Sequence, residues 1–105
     1  MPGTLFTGHL KDLIDYAESG SESDVDTIFS NLTKESSFAE TRFVDFALSL
    51  VSNPEGKNRI KHYLFKGTQI QRNYACLFFN RLGEYQDVEK AYHEGLIDEI
   101  QAFSR

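Results

Sequence analysis

The segment from Lys66 to Glu84 is the feature that most constrains the fold, because it carries the start and stop signals of one complete helix. Thr68 and Gln71 have the spacing of a capping box, in which two side chains satisfy free backbone amides at the helix start. Gly83 is the residue type that most often ends a helix. The apolar residues between them lie on more than one side, so neighbours must cover this helix on both flanks. Inner helices of stacked helical hairpins have this character.

The remainder of the chain predicts more helices, separated by short polar or glycine-containing breaks. The predicted helices cover about residues 5–18, 23–34, 37–52, 54–66, 68–83 and 86–94, with a last turn or helix near 96–103. Ser37 and Glu40 form a second capping box, and Asn53 stands before Pro54 at a helix start. The chain has only 2 prolines and few Val, Ile and Thr residues, which argues against an all-β domain. We therefore predict an all-α protein.

The third and fifth predicted helices have wide apolar faces, whereas the fourth and sixth have narrow ones. The third helix carries Phe43, Phe46, Ala47, Leu50 and Val51 on one side, and it carries Val44 and Leu48 on another. A shift of 31 positions takes Leu13 to Val44, Ala17 to Leu48, Leu48 to Phe79 and Val51 to Leu82. This alternation and this fixed shift predict a helical repeat.

The sequence Arg72-Asn-Tyr-Ala-Cys-Leu-Phe-Phe-Asn-Arg-Leu-Gly-Glu84 resembles the second helix of a HEAT-like (armadillo-type) repeat. The matching positions are Arg72, Ala75, Phe79 and the closing Arg-Leu-Gly-Glu at 81–84. The resemblance covers about residues 37–95 with decreasing quality. It implies a right-handed stack of antiparallel helical hairpins with about six to seven helices. The bulky Tyr74 and Phe78 stand where the family prefers small residues, so a compact helical bundle is the alternative.

The length of 105 residues predicts a single helical-repeat domain over 1–105. The single cysteine cannot form an internal disulfide, which fits a reducing compartment. No signal peptide and no membrane-spanning apolar run are visible in the sequence, so we expect a cytoplasmic location and no membrane contact.

The net charge of −5 is unevenly distributed along the chain. Residues 1–53 hold nine acids and three bases, whereas residues 54–105 hold seven acids and eight bases. Between positions 57 and 81 there are six bases and no acid. This asymmetry indicates either a partner surface or two ordinary solvated faces.

Catalytic, metal and nucleotide motifs do not rise above background, and we expect no cofactor and no enzymatic activity. Cys76 has no base near it in sequence, and the three histidines lack metal-ligand spacing. An enzyme whose site assembles from Tyr74, His62 and Glu84 stays open as an alternative. A deep polar pocket would favour it.

The predicted function is a protein-interaction module that binds a protein or peptide, as a small regulatory or inhibitor-type protein does. The predicted contact residues are Lys57, Arg59, Lys61, Gln71, Arg72, Asn73, Asn80 and Arg81. Arg72 has an equally good structural interpretation, packing its stem and pairing with an acid or carbonyl. The alternative function is a nucleic-acid-binding helical repeat that uses the basic stretch 57–81, although the acidic chain favours it less. Self-association as a homo-oligomer through an apolar helix face is a further alternative.

Overall fold

The fold is described by a computed structural model, which covers residues 8–103, with side chains from Leu10 onward. Every regular element in that range is helical, and no strand occurs in it. The helices are α1 (Gly8–Ser19), α2 (Glu22–Phe29), α3 (Phe38–Leu48), α4 (Pro54–Lys66), α5 (Gln69–Leu82), α6 (Gln86–His93) and α7 (Glu99–Ala102). The all-α prediction is confirmed.

The predicted helix boundaries are confirmed where side chains cap the helix. Ser37 and Glu40 form both bonds of a capping box at the start of α3, and Thr68 and Gln71 do the same for α5. Gly83 ends α5 with a left-handed backbone at φ 75°. Helix α2 is shorter than predicted. It ends at Phe29, and the chain passes through turns to Ser37.

The chain divides into two compact units, Met1–Arg59 (unit 1) and Ile60–Arg105 (unit 2), and α4 contributes residues to both. In unit 1, α1, α2 and α3 pack against one another. The core of unit 1 is formed by the buried side chains of Leu13, Ala17, Val25, Ile28, Phe29, Leu32, Val44, Ala47, Leu48 and Val51.

The start of α4 is attached to the start of α2 by contacts with a constant sequence offset of 33 residues. Asn53 Nδ2 donates to the Gly20 carbonyl at 3.0 Å, and the Glu22 amide donates to the Glu55 carboxylate at 2.8 Å. Arg59 Nε donates to Asp26 Oδ1 at 2.6 Å. From one pair to the next, both residue numbers increase by the same amount. Helix α2 and the first turns of α4 therefore run parallel to each other.

In unit 2, α5 packs against α6 and α7. The core of unit 2 is formed by the buried side chains of Ile60, Leu64, Ala75, Cys76, Phe78, Phe79, Val88, Ala91, Ile97 and Ala102. The rings of Phe78 and Phe79 meet edge to face at 5.1 Å. Both rings therefore fill the core of this unit.

Burial repeats along the chain with the 31-residue shift found in the sequence. Leu13, Val44 and Ala75 are all fully buried, and so, to within a few per cent, are Ala17, Leu48 and Phe79. Positions 31 residues apart do not have equivalent burial at the ends of the helices, where Val51 is buried but Leu82 is exposed.

Candidate interaction surface

Helix α3 buries only part of its apolar surface. Its inner side carries Thr41, Val44, Ala47 and Leu48, which are buried. Phe46 and Leu50, which the sequence places on the same side of the helix as Ala47 and Val51, are 43% and 37% exposed. Ala47 and Val51 are buried, so the core covers only part of that side.

The outward side of α3 carries large apolar side chains. Phe38 is 77% exposed, and Phe38, Arg42 and Phe46 follow one another at intervals of four residues. At 3.6 residues per turn these three side chains lie within about 80° of the helix circumference. Leu50 extends the row past the end of the helix. We call the surface formed by Phe38, Arg42, Phe46 and Leu50 the α3 face.

Arg42 is part of this apolar surface. Its guanidinium carbon lies 5.6 Å from the centroid of the Phe38 ring, within the range of a cation–π contact. The contact holds the ring and the guanidinium together at the start of α3. A flat ring with a charge stacked on it presents a surface that is both apolar and able to pair with a carboxylate.

An exposed row of this kind leaves apolar area in contact with water. Of the six exposed large apolar side chains in the described part of the chain, three belong to the α3 face, and the others are Leu82, Ile100 and Phe103. Burying one Phe side chain fully is worth about 1.5–3 kcal/mol. A contiguous row of such side chains is typical of a protein-binding surface, whereas scattered single residues are not.

The whole net charge of the chain lies in unit 1. Unit 1 holds ten acids and five bases, a net charge of −5, and unit 2 holds six of each. Within α3 itself, Arg42 stands between Glu40 and Asp45. The α3 face is therefore an apolar row with one central cation on an acidic unit.

The contact residues predicted in unit 1 lie at the start of α4. Lys57 is half-buried. Arg59 is engaged within the fold, since its guanidinium bonds both carboxylate oxygens of Asp26 and lies 3.8 Å from Glu22. The structure thus uses Arg59 to join α4 to α2.

Three of the contact residues predicted in unit 2 make bonds inside the unit. Lys61 Nζ lies 3.5 Å from an Asp87 oxygen, and Gln71 caps α5. Arg72 donates to the carbonyls of Leu96 at 2.7 Å and Gly67 at 2.8 Å. The structural interpretation of Arg72, pairing with a carbonyl, agrees with this geometry.

Asn80, also predicted for contact, is only 3% exposed. Its amide nitrogen donates to the carbonyl of Gln101 at 3.0 Å and lies 3.4 Å from that of Ala102. The Cys76 thiol donates to the same Gln101 carbonyl at 3.1 Å. Asn80 therefore fixes the end of α7 on α5, and a role in partner contact would require α7 to leave.

Asn73 and Arg81 reach the surface of unit 2. Asn73 lines an open cleft of about 300 Å³ together with Tyr74, Leu77 and Gln101, and Arg81 is exposed. Neither His62 nor Glu84 is among the residues that line this cleft. The three side chains considered for an enzyme site are thus not brought together there.

No helix between positions 8 and 103 combines the length and the apolar character needed to cross a bilayer. Over the same residues, no group of three His, Cys, Asp or Glu side chains is arranged to hold a metal ion.

No protein-family model matches the chain, and no curated protein or solved structure matches it either. The resemblance to HEAT-like repeats therefore rests on the residues of the sequence itself.

Sequence reasoning missed the α3 face because it sought contact residues among polar side chains. The sequence did contain a signal for this surface. Phe38, Arg42 and Phe46 lie on the side of the helix opposite Val44 and Ala47, so a single neighbouring layer cannot cover both sides.

Proposed function

We propose that this chain is a non-enzymatic protein-interaction module that binds a protein or peptide through the α3 face. The observation that carries the proposal is the exposed row of Phe38, Phe46 and Leu50 with Arg42 at its centre. Binding would remove the two rings from water, and this supplies affinity. Arg42 would pair with an acidic group of the partner, and this supplies orientation. The module would act by occupying a partner's surface, as regulatory and inhibitor-type proteins do.

We further propose that the helices form a HEAT-like stack of hairpins. Its support is the parallel alignment of helices within each unit. In unit 1 the offset of 33 residues aligns α2 with α4. In unit 2, Cys76 with Gln101 and Arg72 with Leu96 align α5 with α7 and its preceding turn, at offsets of 25 and 24. Equivalent helices of successive repeats lie parallel in this way.

Nucleic-acid binding through the basic stretch 57–81 is the weaker proposal. Arg59 and Lys61 already lie beside acidic side chains, and Arg72 is held by backbone carbonyls. Groups neutralised within the fold release fewer counterions on binding a phosphate backbone. An electrophoretic shift assay at low salt decides this alternative, since absence of binding there removes it.

Photo-crosslinking in the cells that produce the chain tests the main proposal. One variant carries p-benzoylphenylalanine in place of Phe46, and the control carries it in place of the exposed Glu18 on α1. We expect covalent adducts from position 46 and none from position 18. The absence of adducts at position 46, in a protein with unchanged circular dichroism, would remove the α3 face from consideration.

Charge reversal of Lys57, Lys61 and Arg81 tests whether the predicted basic residues contribute. Retention of the adducts in that triple variant shows that binding through the α3 face does not need these three residues. Their loss would extend the contact surface to α4 or α5.

A further inference from the structure

We propose that residues 98–103, which include α7 and which we call the strap, open from α5 while the remainder of unit 2 stays folded. Opening uncovers the surface of α5 around Cys76 and Asn80, both of which bond to α7 in the closed state. This inference concerns unit 2 and is independent of the α3 face. It states the condition under which Asn80, a predicted contact residue, becomes accessible to a partner.

The strap buries little apolar surface. Helix α7 has only the four residues Glu99–Ala102, and Ala102 is the buried one among them. Ile100 is 78% exposed, and Phe103 is also exposed, although its ring meets that of Tyr92 at 5.5 Å. A helix of one turn is not stable by itself, so its position depends on its contacts with α5 and α6. Segments with few buried apolar contacts are those that open locally in folded proteins.

Polar bonds hold the strap on α5, and one of the groups involved is left unsatisfied. The amide nitrogen of Asn80 donates to the carbonyls of Gln101 and Ala102, and the thiol of Cys76 donates to the Gln101 carbonyl. Asn80 Oδ1 is buried, but no donor of the described residues reaches it. A buried acceptor without a donor costs free energy, and opening of the strap removes this cost by returning the oxygen to water.

Solvent borders one flank of the strap. The open cleft of about 300 Å³ is lined by Asn73, Tyr74 and Leu77 of α5 and by Gln101 of α7. The contact between these two helices therefore ends at solvent on that side. The strap can separate from α5 there without displacing another helix.

The turn before the strap is firmly attached. Arg72 donates to the Leu96 carbonyl at 2.7 Å, and Ile97 is buried in the core of unit 2. Asp98 has an extended backbone and caps α7 by accepting from the amide of Gln101 at 2.8 Å. That cap lies within the strap, so opening preserves it. We therefore place the hinge at Asp98, between the fixed turn and the helix that moves.

Alkylation of the Cys76 thiol by iodoacetamide tests the opening, because this thiol is fully buried in the closed state. Cys76 is the single cysteine of the chain, so the increase in mass reports one side chain. We expect the rate of alkylation to stay nearly constant at low urea concentrations, because opening the strap exposes little surface. Unfolding of unit 2 exposes much more, so a rate set by that unfolding would rise steeply with urea.

Amide hydrogen exchange of α5 separates opening of the strap from unfolding of unit 2. Dividing the alkylation rate and the exchange rates by those of an unfolded peptide gives the open fraction that each probe reports. We expect the open fraction reported by Cys76 to exceed that reported by the amides of residues 75–79 by at least about tenfold, because those amides exchange only when α5 unfolds.

Two substitutions each remove one attachment of the strap. Asn80→Ala should raise the alkylation rate at least about fivefold, because the hydrogen bonds it removes exist only in the closed state. Phe103→Ala should raise the rate at least about twofold, because it removes the ring contact with Tyr92. If Asn80→Ala fails to fold by circular dichroism, Phe103→Ala still provides the test.

Ile100→Ser is the matched control on α7 itself. Ile100 is exposed, and isoleucine and serine have similar helix propensities. We therefore expect the alkylation rate of this variant to equal that of the original chain.

Three results would overturn the strap proposal. They are an alkylation rate that rises with urea as steeply as unfolding does, an open fraction from Cys76 no larger than that from the α5 amides, and folded Asn80→Ala and Phe103→Ala variants that react at the original rate. None of these results bears on the α3 face, because the thiol of Cys76 reports on unit 2.

Discussion

The guanidinium of Arg42 lies 5.6 Å from the centroid of the Phe38 ring, on the side of α3 that faces away from its core. The ring is 77% exposed, so the contact does little to hide it from water. An exposed ring in a cation–π contact contributes little to folding, about 0.5–1 kcal/mol. We infer that this pair serves recognition more than stability.

The first prediction separates binding from folding by replacing two phenylalanines of unit 1. Phe38→Ala should lower the free energy of unfolding by at most about 1 kcal/mol, because it removes only an exposed cation–π contact. Phe29→Ala should cost about 3–5 kcal/mol, because Phe29 is fully buried between packed helices. Urea denaturation measures both values. An equal loss in the two variants would show that Phe38 belongs to a core.

The second prediction concerns the attachment of α7 to α5. Asn80→Ala removes the amide donor from the carbonyls of Gln101 and Ala102, and the Cys76 thiol remains as a donor to Gln101 alone. We expect a loss of about 1–3 kcal/mol, the usual cost of unsatisfied buried groups. The rate of amide hydrogen exchange of residues 99–103 should rise by the factor that corresponds to this loss of free energy.

Asn73→Ala is the matched control for Asn80→Ala, since Asn73 lies on the same helix but lines the open cleft. Its effect should be small, within about 0.5 kcal/mol. Equal effects of the two asparagine substitutions would contradict a special role for Asn80.

The third prediction concerns the ion pair that joins α4 to α2. A double-mutant cycle with Arg59→Ala and Asp26→Ala should give a coupling of roughly 0.5–1 kcal/mol, because both side chains keep some solvent contact. The exposed pair of Lys11 and Asp15, with an Nζ–Oδ2 distance of 2.9 Å, should give a smaller coupling, because solvent screens it more. Thermal or urea unfolding of the four variants in each cycle provides the values. A coupling no larger for Arg59 than for Lys11 would show that the ion pair between Arg59 and Asp26 stabilises unit 1 no more than an exposed pair does.

The fourth prediction uses two glycines with left-handed backbones. Gly20 has φ 65°, and a Cβ there would overlap the side chain of Asn53, whereas Gly95 has φ 77° and open space around it. Gly95→Ala should cost about 1–2 kcal/mol, the strain of a left-handed alanine. Gly20→Ala should cost more, because it also displaces Asn53 from the Gly20 carbonyl. Similar midpoints of urea unfolding for the two variants would contradict the close approach at Gly20.

The sequence predicted local structure well because local chemistry determines it. The capping boxes at Ser37 and Thr68 and the left-handed Gly83 lie where their side chains or backbone freedom require them. The 31-residue shift also predicted equivalent burial, as Ala17, Leu48 and Phe79 show. Periodicity could not predict which apolar side of α3 is covered, because Phe46 and Val44 are equally apolar and only packing distinguishes them.

The predicted contact residues show that the sequence also could not predict which polar side chains bond within the fold. Arg59, Arg72 and Asn80 are polar, but each bonds another part of its own unit. A sequence does not reveal that a carbonyl such as that of Leu96 or Gln101 will lie within reach. Polar residues on a helix are therefore weak predictors of a partner surface, whereas an exposed aromatic row is a stronger one.

The most direct test of the α3 face as a binding surface is hydroxyl-radical footprinting of three rings. Phe38 and Phe46 report on the α3 face, and Phe103, which is 48% exposed, is the reference ring in unit 2. Oxidation is compared between dilute purified protein and the protein inside the cells that produce it. We predict that Phe38 and Phe46 are protected in cells relative to Phe103. Equal oxidation of Phe38 and Phe46 under both conditions would contradict the proposal that the α3 face binds a partner.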